Sequence, residues 1–284
     1  MVSENKTNES KTLRTAIVYD FDGTLARGNI QEHTFLPDMG IPKKKFWADV
    51  QDEAKSTDSD EILVYMRKML EAAEARGKPL KRSALREHGR SLPLFEGVSG
   101  WFDRINAHAT AIGLSLEHYV VSSGIHEMIE GCEIAESFKH IFASKFIYDK
   151  DGVAIWPGIA INYTTKTQFL FRINKGVINN WDNRSVNKWI KMDERPIPFE
   201  RMIFIGDGDT DIPSMKMVRL QKGHSIAVFD PEAWPKDGSG SEAQEKVFKL
   251  ISEDRVHFVV PADYRNGSQL DITVKGILGR IVNG

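Results

Sequence analysis

The fold is decided by residues 16–25, whose sequence is AIVYDFDGTL. A short apolar run ends at Asp20, and Asp22 follows two residues later. In open α/β sheets, binding sites collect outside the carboxyl ends of the strands. Two aspartates separated by one residue of a strand project to the same side. Their like charges repel each other unless a cation lies between them or one of them carries a proton. The stretch therefore predicts a metal-dependent pair that consists of a nucleophile and an acid.

The composition is that of an ordinary soluble globular protein. The chain has 284 residues, of which 41% are hydrophobic and 27% are charged, and its formal net charge is −2. A charge this close to neutral gives no reason to expect nucleic acid as a partner. No apolar stretch approaches the roughly 18–20 residues that span a bilayer, so we expect no membrane partner.

The first residues and the cysteine content indicate the compartment. Residues 1–12 are polar and mixed in charge, without the apolar centre of a signal peptide, and we predict a disordered tail there. Cys132 is the single cysteine, which excludes an internal disulfide and fits a reducing environment. These features predict a cytoplasmic protein.

Short apolar runs with the β-branched composition of buried strands recur along the chain. They are nearly continuous in apolar residues, which is typical of parallel strands buried on both faces. Helix-like segments separate most of them, so a three-layer α/β core with a parallel sheet is predicted. The runs lie at 15–19, 119–121, 202–205, 225–229 and 256–260.

One long segment lacks any strand pattern. Residues 26–94 lie between the first two predicted strands and show only helix-like periodicity. We predict that they form an inserted all-helical cap domain, and that 13–25 and 95–284 form the α/β catalytic core. Asp58, with Glu61 three residues later, is predicted to cap the start of the main helix of the insertion.

A second irregularity predicts a small β-hairpin flap at 143–163. The sequence DKDG at 149–152 is a turn signal between two apolar segments. Pro157 lies in the second arm and cannot donate to a strand ladder, so we expect that arm at a sheet edge.

Side chains that suit attack on a phosphoryl group follow the predicted strands. Such attack needs an in-line nucleophile and neutralisation of the charge on the equatorial oxygens. A carboxylate can be the nucleophile through an aspartyl-phosphate, and a second, protonated aspartate can be the general acid. Serine hydroxyls and a lysine ammonium can hold the phosphate. Oxygen ligands without histidine or cysteine predict Mg²⁺ rather than Zn²⁺. In chain order the groups are Asp20 and Asp22, Ser122 and Ser123, Lys166, and the sequence GDGDTD at 206–211.

These four groups together resemble the motifs of the haloacid dehalogenase superfamily of phosphohydrolases. The matching segments are DFDGT at 20–24, VSS at 121–123, Lys166 and GDGDTD at 206–211. The hairpin turn and the Gly-Asp-Gly start of the last motif are similar to the phosphoserine-phosphatase-like branch. The resemblance implies a Rossmann-like core with a helical cap.

The resemblance also implies a role for each of these residues in phosphoryl transfer. Asp20 is expected to be the nucleophile and a Mg²⁺ ligand, and Asp22 the general acid and base with its backbone carbonyl on the metal. Lys166 is expected to pair with Asp20 and the phosphoryl oxygens. Asp207 is expected to be the main acidic Mg²⁺ ligand of the last motif, and Asp211 to help through a second shell or a water.

Three of these assignments have alternatives within the chain. Ser122 is expected to bind phosphate, but Ser123 is a close rival. Lys175 could supply the amine instead of Lys166, although it precedes a glycine that looks like a helix C-cap, where a cation is favoured for structural reasons. Asp211 could also cap the helix that begins at Ile212.

The resulting hypothesis is a Mg²⁺-dependent phosphomonoester hydrolase that acts on a small phosphorylated metabolite through a phospho-intermediate on Asp20. An aspartate at position 22 suits phosphatases and mutases and argues against dehalogenation and transport ATPases. A phosphotransferase or phosphomutase on the same scaffold is one alternative, and a non-catalytic phosphate-binding regulatory protein is another. Specificity is expected in the cap, whose polar candidates are Asn29, Glu32, His33, Arg67 and Arg86.

Overall fold

The computed structural model describes residues 13–233 and 241–284. The predicted N-terminal tail lies outside the described residues. The central element is a seven-stranded sheet with the order β4-β3-β2-β1-β5-β6-β7. Its strands are β1 (Leu13–Tyr19), β2 (Leu114–Ile125), β3 (His140–Tyr148), β4 (Ala154–Ile159), β5 (Met202–Gly206), β6 (His224–Phe229) and β7 (Phe258–Pro261).

Strand β1 occupies the middle of this sheet. It pairs in parallel with β2 on one side and with β5 on the other. Its residues from Ala16 to Tyr19 are fully buried, as expected for a strand covered on both faces. The carboxyl ends of the three strands therefore meet at one edge, which confirms the predicted parallel core and brings their polar loops together.

Helices cover both faces of the sheet. One face packs α5 (Trp101–Ala111), α6 (His126–Gly131) and α11 (Gln269–Asn283). The other face packs α7 (Thr165–Lys175), α9 (Ile212–Leu220) and α10 (Glu242–Ser252), and α8 (Asn183–Asn187) follows α7. Ile17 and Tyr19 contact the first layer, whereas Ala16 and Val18 contact the second, because side chains alternate along a strand. No helix in the described ranges is long and apolar enough to cross a membrane.

The segment between β1 and α5 is helical, as predicted. It contains α1 (Phe35–Asp38), α2 (Lys43–Thr57), α3 (Glu61–Ala75) and α4 (Arg82–Gly89). Its two ends lie side by side, because Ala26 pairs with Leu94 in an antiparallel bridge and the amide of Arg27 donates to the carbonyl of Pro93 at 2.8 Å. The chain therefore leaves the core and returns to it at the same place.

The start of α3 differs from the prediction. Asp60, not Asp58, is the N-cap, and its side chain accepts hydrogen bonds from the backbone amides of Ile62 and Leu63. Asp58 instead has a left-handed backbone and ends α2. A tight connection between two helices needs such a residue, and aspartate tolerates that conformation.

Helix α4 lies very close to helix α6 of the core. A Cβ at Gly89 would clash with the carbonyl of Met128, and a Cβ at Gly131 would clash with the carbonyl of Arg86. Two glycines therefore let the backbones touch. This contact fixes one end of the helical segment on the core.

The predicted hairpin is present. The amide of Asp149 donates to the carbonyl of Val153 at 2.9 Å across its turn, and β3 pairs antiparallel with β4. Strand β3 also pairs with β2, so the hairpin extends the main sheet. Strand β4 is the outermost strand, which accommodates Pro157 as expected.

Candidate active site

Three aspartates converge where β1 and β5 end. The amide of Asp20 donates to the carbonyl of Ile205 at 2.9 Å, which aligns the two loops. Carboxylate oxygens of Asp20, Asp207 and Asp211 all lie within 4.8 Å of one another. Like charges this close repel unless a cation neutralises them. The cluster thus has the character of a cation site.

Two glycines make room for these carboxylates. A Cβ at Gly23 would lie 2.5 Å from Oδ2 of Asp207, and Gly23 has a φ of +70°. A Cβ at Gly206 would clash with Oδ2 of Asp211. The glycine of the first motif is therefore required both by its backbone conformation and by the approach of an acid from the last motif.

Lys166 lies beneath the aspartates in the first turn of α7. Its Nζ is 2.8 Å from Oδ2 of Asp20 and 2.7 Å from Oδ1 of Asp211, and the lysine is completely buried. Burial lowers the pKa of this ammonium, but the attraction of the two carboxylates outweighs burial and raises the pKa above its ordinary value. Lys166 is therefore a permanent positive charge at the floor of the site.

Asp211 holds the loop that carries Asp207. Its Oδ2 accepts hydrogen bonds from the backbone amides of Asp207 at 3.1 Å and Gly208 at 3.3 Å. Asp211 occupies the N-cap position of α9, but its side chain makes no capping hydrogen bond to that helix, so the predicted capping role is wrong. Burial, followed by the charge of Asp20, raises the pKa of the Asp211 carboxyl.

Asp22 is held by the first turn of the helical segment. Its Oδ1 accepts a 3.0 Å hydrogen bond from the backbone amide of Ile30. Burial and then the neighbouring charge of Asp20 raise the pKa of the Asp22 carboxyl well above its usual range. A carboxyl of raised pKa suits a general acid, because it holds its proton to a higher pH.

Both predicted serines lie where β2 reaches the site. Ser122 is completely buried, and its Oγ accepts a 3.0 Å hydrogen bond from the amide of Gly124. The buried Oγ of Ser123 has no hydrogen-bond partner among the described residues. Both serines line the same cavity as Asp20.

Lys175 lies away from this cavity. Its Nζ donates to the backbone carbonyls of Val186 at 2.6 Å and Lys188 at 2.8 Å. Of the two candidate lysines, Lys166 is the one that contacts Asp20. Lys175 instead stabilises the segment that follows α7, through these two hydrogen bonds.

The cavity above the aspartates has a volume of about 440 Å³. The helical segment forms one wall, to which α2 contributes Trp47 and Gln51, and α3 contributes Glu61 and Tyr65. None of these four residues was predicted from the sequence to belong to the site. They follow the ordinary apolar and polar periodicity of packed helices, and only the tertiary arrangement brings them over the site.

The polar candidates of the helical segment are mostly engaged elsewhere. Asn29 lines the cavity, but Glu32, His33, Arg67 and Arg86 are not among the lining residues that the structure describes. Arg67 pairs with Glu53 and Glu71, Arg86 pairs with Glu130, and His33 contacts the carbonyl of Arg27.

The aspartate cluster fits a hard divalent cation. Its donors are carboxylate oxygens, and histidine and cysteine are absent from the cluster. Such a set is typical of Mg²⁺ rather than Zn²⁺. Lys246 lies 3.5 Å from Oδ2 of Asp207 at the cavity wall.

Several known proteins are similar to this chain. An uncharacterised protein from Borreliella burgdorferi is 27% identical over 282 residues, which cover 90% of this chain and 93% of that protein. A haloacid dehalogenase family hydrolase from Salmonella enterica serovar Typhi has a similar structure, with a TM-score of 0.57 and 15% identity over 92% of this chain and 70% of that one. A substrate-bound phosphoserine phosphatase has a TM-score of 0.53 and 17% identity, with coverages of 93% and 98%.

The solved structures confirm that this fold is the one found in the phosphoserine-phosphatase-like branch. The haloacid dehalogenase-like hydrolase family matches this chain over residues 17–216, which contain all four motifs. The chain therefore belongs to the haloacid dehalogenase-like hydrolase family, as its motifs predicted.

Proposed function

We propose that the protein is a Mg²⁺-dependent phosphomonoester hydrolase that works through an aspartyl-phosphate on Asp20. The observation that supports this most directly is the buried Lys166, which contacts Asp20 and Asp211 at once beneath a polar cavity. A carboxylate held against a fixed cation is suited to receive a phosphoryl group, whose charge that cation also neutralises.

In the first step, a carboxylate oxygen of Asp20 attacks the phosphorus atom and the bond from phosphorus to the ester oxygen breaks. The departing alcohol takes the proton of Asp22. In the second step, Asp22 removes a proton from water as that water attacks the phosphorus, and the bond from phosphorus to the Asp20 oxygen breaks, which releases inorganic phosphate and restores the Asp20 carboxylate. The same carboxyl thus serves as acid and then as base.

The remaining groups bind the phosphoryl oxygens. Lys166 donates N–H bonds to them, and Ser122 donates its hydroxyl. Ser123, whose hydroxyl has no partner in the described chain, is the second hydroxyl available for this role. Removal of one such donor from a preorganised site typically costs about 100- to 1000-fold in rate.

Asp20, Asp207 and Asp211 are the residues that would hold Mg²⁺, together with the backbone carbonyl of Asp22. When bound, the ion supplies positive charge against the phosphoryl oxygens and the aspartates. Gly23 keeps the space beside Asp207 open for this arrangement.

Residues 26–94 are proposed to act as a cap over a core of 13–25 and 95–284. The paired ends of the segment at Ala26 and Leu94 support these boundaries. A cap excludes bulk water and carries the groups that select the substrate. The cavity volume fits a small phosphorylated metabolite, and we place the activity in the cytoplasm.

The test is phosphate release from an aryl phosphate with and without Mg²⁺, using Asp20→Asn and, as a matched control, Asp52→Asn on the exposed surface of α2. We expect Mg²⁺-dependent turnover in the wild type and in Asp52→Asn, and none in folded Asp20→Asn. Robust turnover by Asp20→Asn would exclude the nucleophile. Product analysis with an added alcohol shows whether water or the alcohol accepts the phosphoryl group.

A further inference from the structure

The wall formed by the helical segment carries one carboxylate outside the aspartate cluster. Glu61 is the first residue of α3, is partly exposed, and lines the cavity. No hydrogen bond or ion pair joins Glu61 to another described residue. A helix N-terminus favours a negative charge at this position. Glu61 is thus a carboxylate that a ligand in the cavity can contact.

A second acceptor near this wall also lacks a partner. Gln31 lines the cavity and is 2% exposed, and its Oε1 makes no hydrogen bond in the described structure. A buried carbonyl oxygen without a partner is costly. A ligand that brings an N–H or O–H group would satisfy it.

Two hydrogen-bond donors of the same wall are already used. The side-chain amide of Asn29 and the indole N–H of Trp47 both donate to Oε1 of Glu32, at 2.8 and 2.6 Å. Both donors belong to residues that line the cavity. Their hydrogens are therefore directed to a protein carboxylate.

Two further lining residues show the same pattern. The Tyr65 hydroxyl donates to the carbonyl of Ser123 at 2.6 Å. The side-chain amide of Asn162 donates to Asp60. Several donors that line the cavity are thus used by protein acceptors, whereas Glu61 and the Oε1 of Gln31 are open, which favours a ligand group that donates hydrogen bonds.

The cavity is also poor in positive charge. No arginine or histidine is among the described residues that line it, and its lining lysine is Lys246 beside Asp207, while Lys166 is buried beneath Asp20. Both lysines lie with the phosphoryl-transfer groups. A carboxylate on the substrate beside Glu61 would have no cation on this wall to neutralise it, which is repulsive at short range.

We propose that the substrate is the phosphate ester of a primary amino alcohol that carries no carboxylate, and that Glu61 and Gln31 receive its ammonium group. An ammonium has three donors and no acceptor, which matches the open acceptors of this wall. The aromatic ring of Trp47 adds a surface that cations favour. This inference rests on the proposed phosphatase activity and names its substrate class.

The test compares 2-aminoethyl phosphate with 2-hydroxyethyl phosphate, which differ only in ammonium against hydroxyl, and with phosphoserine, which adds a carboxylate. We expect kcat/KM for 2-aminoethyl phosphate to exceed that for each of the others by at least about tenfold. Glu61→Gln should reduce the preference for the amine over the hydroxyl about tenfold. Glu74→Gln, the same charge change on the exposed part of α3, should leave that preference unchanged.

Equal kcat/KM for the amine and the hydroxyl, a preference for phosphoserine, or an unchanged preference in Glu61→Gln would each overturn the substrate class. Mg²⁺-dependent hydrolysis of the aryl phosphate in the same preparation would then show that the proposed phosphatase activity stands. Loss of aryl phosphate hydrolysis as well would overturn both.

Discussion

The hydroxyl of Tyr65 on α3 donates a 2.6 Å hydrogen bond to the backbone carbonyl of Ser123. The helical segment is thereby connected to the end of β2, whose serines are proposed to bind the phosphate. Tyr65 is almost completely buried, so the bond is shielded from water. A shift of α3 would therefore move the backbone of Ser123, next to the proposed phosphate ligand Ser122.

Replacement of this tyrosine tests the connection. Tyr65→Phe leaves the carbonyl of Ser123 without its donor, which costs about 1–3 kcal/mol for a buried group. For a chain of this size we expect the melting temperature to fall by roughly 2–6 °C, together with a lower kcat/KM for aryl phosphate. Tyr163→Phe is the control for stability, since no described residue bonds to the Tyr163 hydroxyl. Equal melting temperatures in both variants would contradict the prediction.

The two candidate lysines make a matched pair for mutation. Lys166→Met leaves Asp20 and Asp211 as buried carboxylates without their counter-charge, which typically costs about 3–5 kcal/mol. We expect kcat to fall at least about 100-fold. Lys175→Met removes only hydrogen bonds to backbone carbonyls, so it should retain kcat within about twofold. Steady-state kinetics and a thermal melt of each variant test this prediction. A larger loss of kcat in Lys175→Met than in Lys166→Met would instead assign the site lysine to Lys175.

Two glycines of similar backbone conformation allow the effect of backbone strain to be distinguished from the effect of a clash with a neighbouring side chain. Gly23 and Gly152 have φ values of +70° and +75°, but a Cβ at Gly152 would meet nothing within 4 Å. Gly23→Ala and Gly152→Ala should both lose about 1–2 kcal/mol of stability from the left-handed backbone. Only Gly23→Ala should displace Asp207, and we expect it to raise the Mg²⁺ concentration for half-maximal activity at least tenfold. A similar increase in both variants would show that strain alone is responsible.

A buried histidine behind β1 predicts how stability depends on pH. Trp101 donates to the Tyr19 hydroxyl at 2.8 Å, Tyr19 lies 3.0 Å from Nδ1 of His118, and Nε2 of His118 lies 3.0 Å from Oδ1 of Asn106. Because the indole only donates, Tyr19 donates onward to Nδ1, and the neutral Nε2–H tautomer completes the chain. Burial lowers the pKa of His118 to about 3.

Between pH 6.5 and about 3 the unfolded chain therefore binds a proton at this position that the folded chain does not bind. Stability must fall as the pH decreases through that range. The contribution of His118 between pH 7 and pH 5 is about 2 kcal/mol. Urea unfolding of the wild type and of His118→Gln at both values measures it, and the wild type should lose more stability on acidification. Parallel losses would show that His118 is protonated in the folded protein.

The sequence predicted which residues meet at the carboxyl ends of the strands better than it predicted the wall that faces them. Asp20 and Asp207 each follow a buried strand, Ser122 lies near the end of another, and the parallel topology alone brings such strand ends together. Lys166 required the choice of one lysine over another, which the order of the motifs favoured. These residues are recognisable because their types and spacing serve chemistry directly.

Glu61 and Tyr65 could not be recognised in the same way. Their positions fit a cap position and an apolar stripe of an ordinary amphipathic helix, and nothing local shows which strand end the helix will cover. For the same reason the sequence predicted Asp58 as the cap of α3, whereas Asp60 is the observed cap. A helix boundary depends on how the preceding connection turns. Long-range packing supplies that information.

The bridge between Ala26 and Leu94 has a consequence for how such a protein can diversify. A segment whose first and last residues are neighbours can change its length or sequence without moving β1 against β2 and β5. The wall that is proposed to select the substrate can therefore vary as a separate module. New specificities can then arise on this scaffold while the aspartates at the ends of β1 and β5 keep their places.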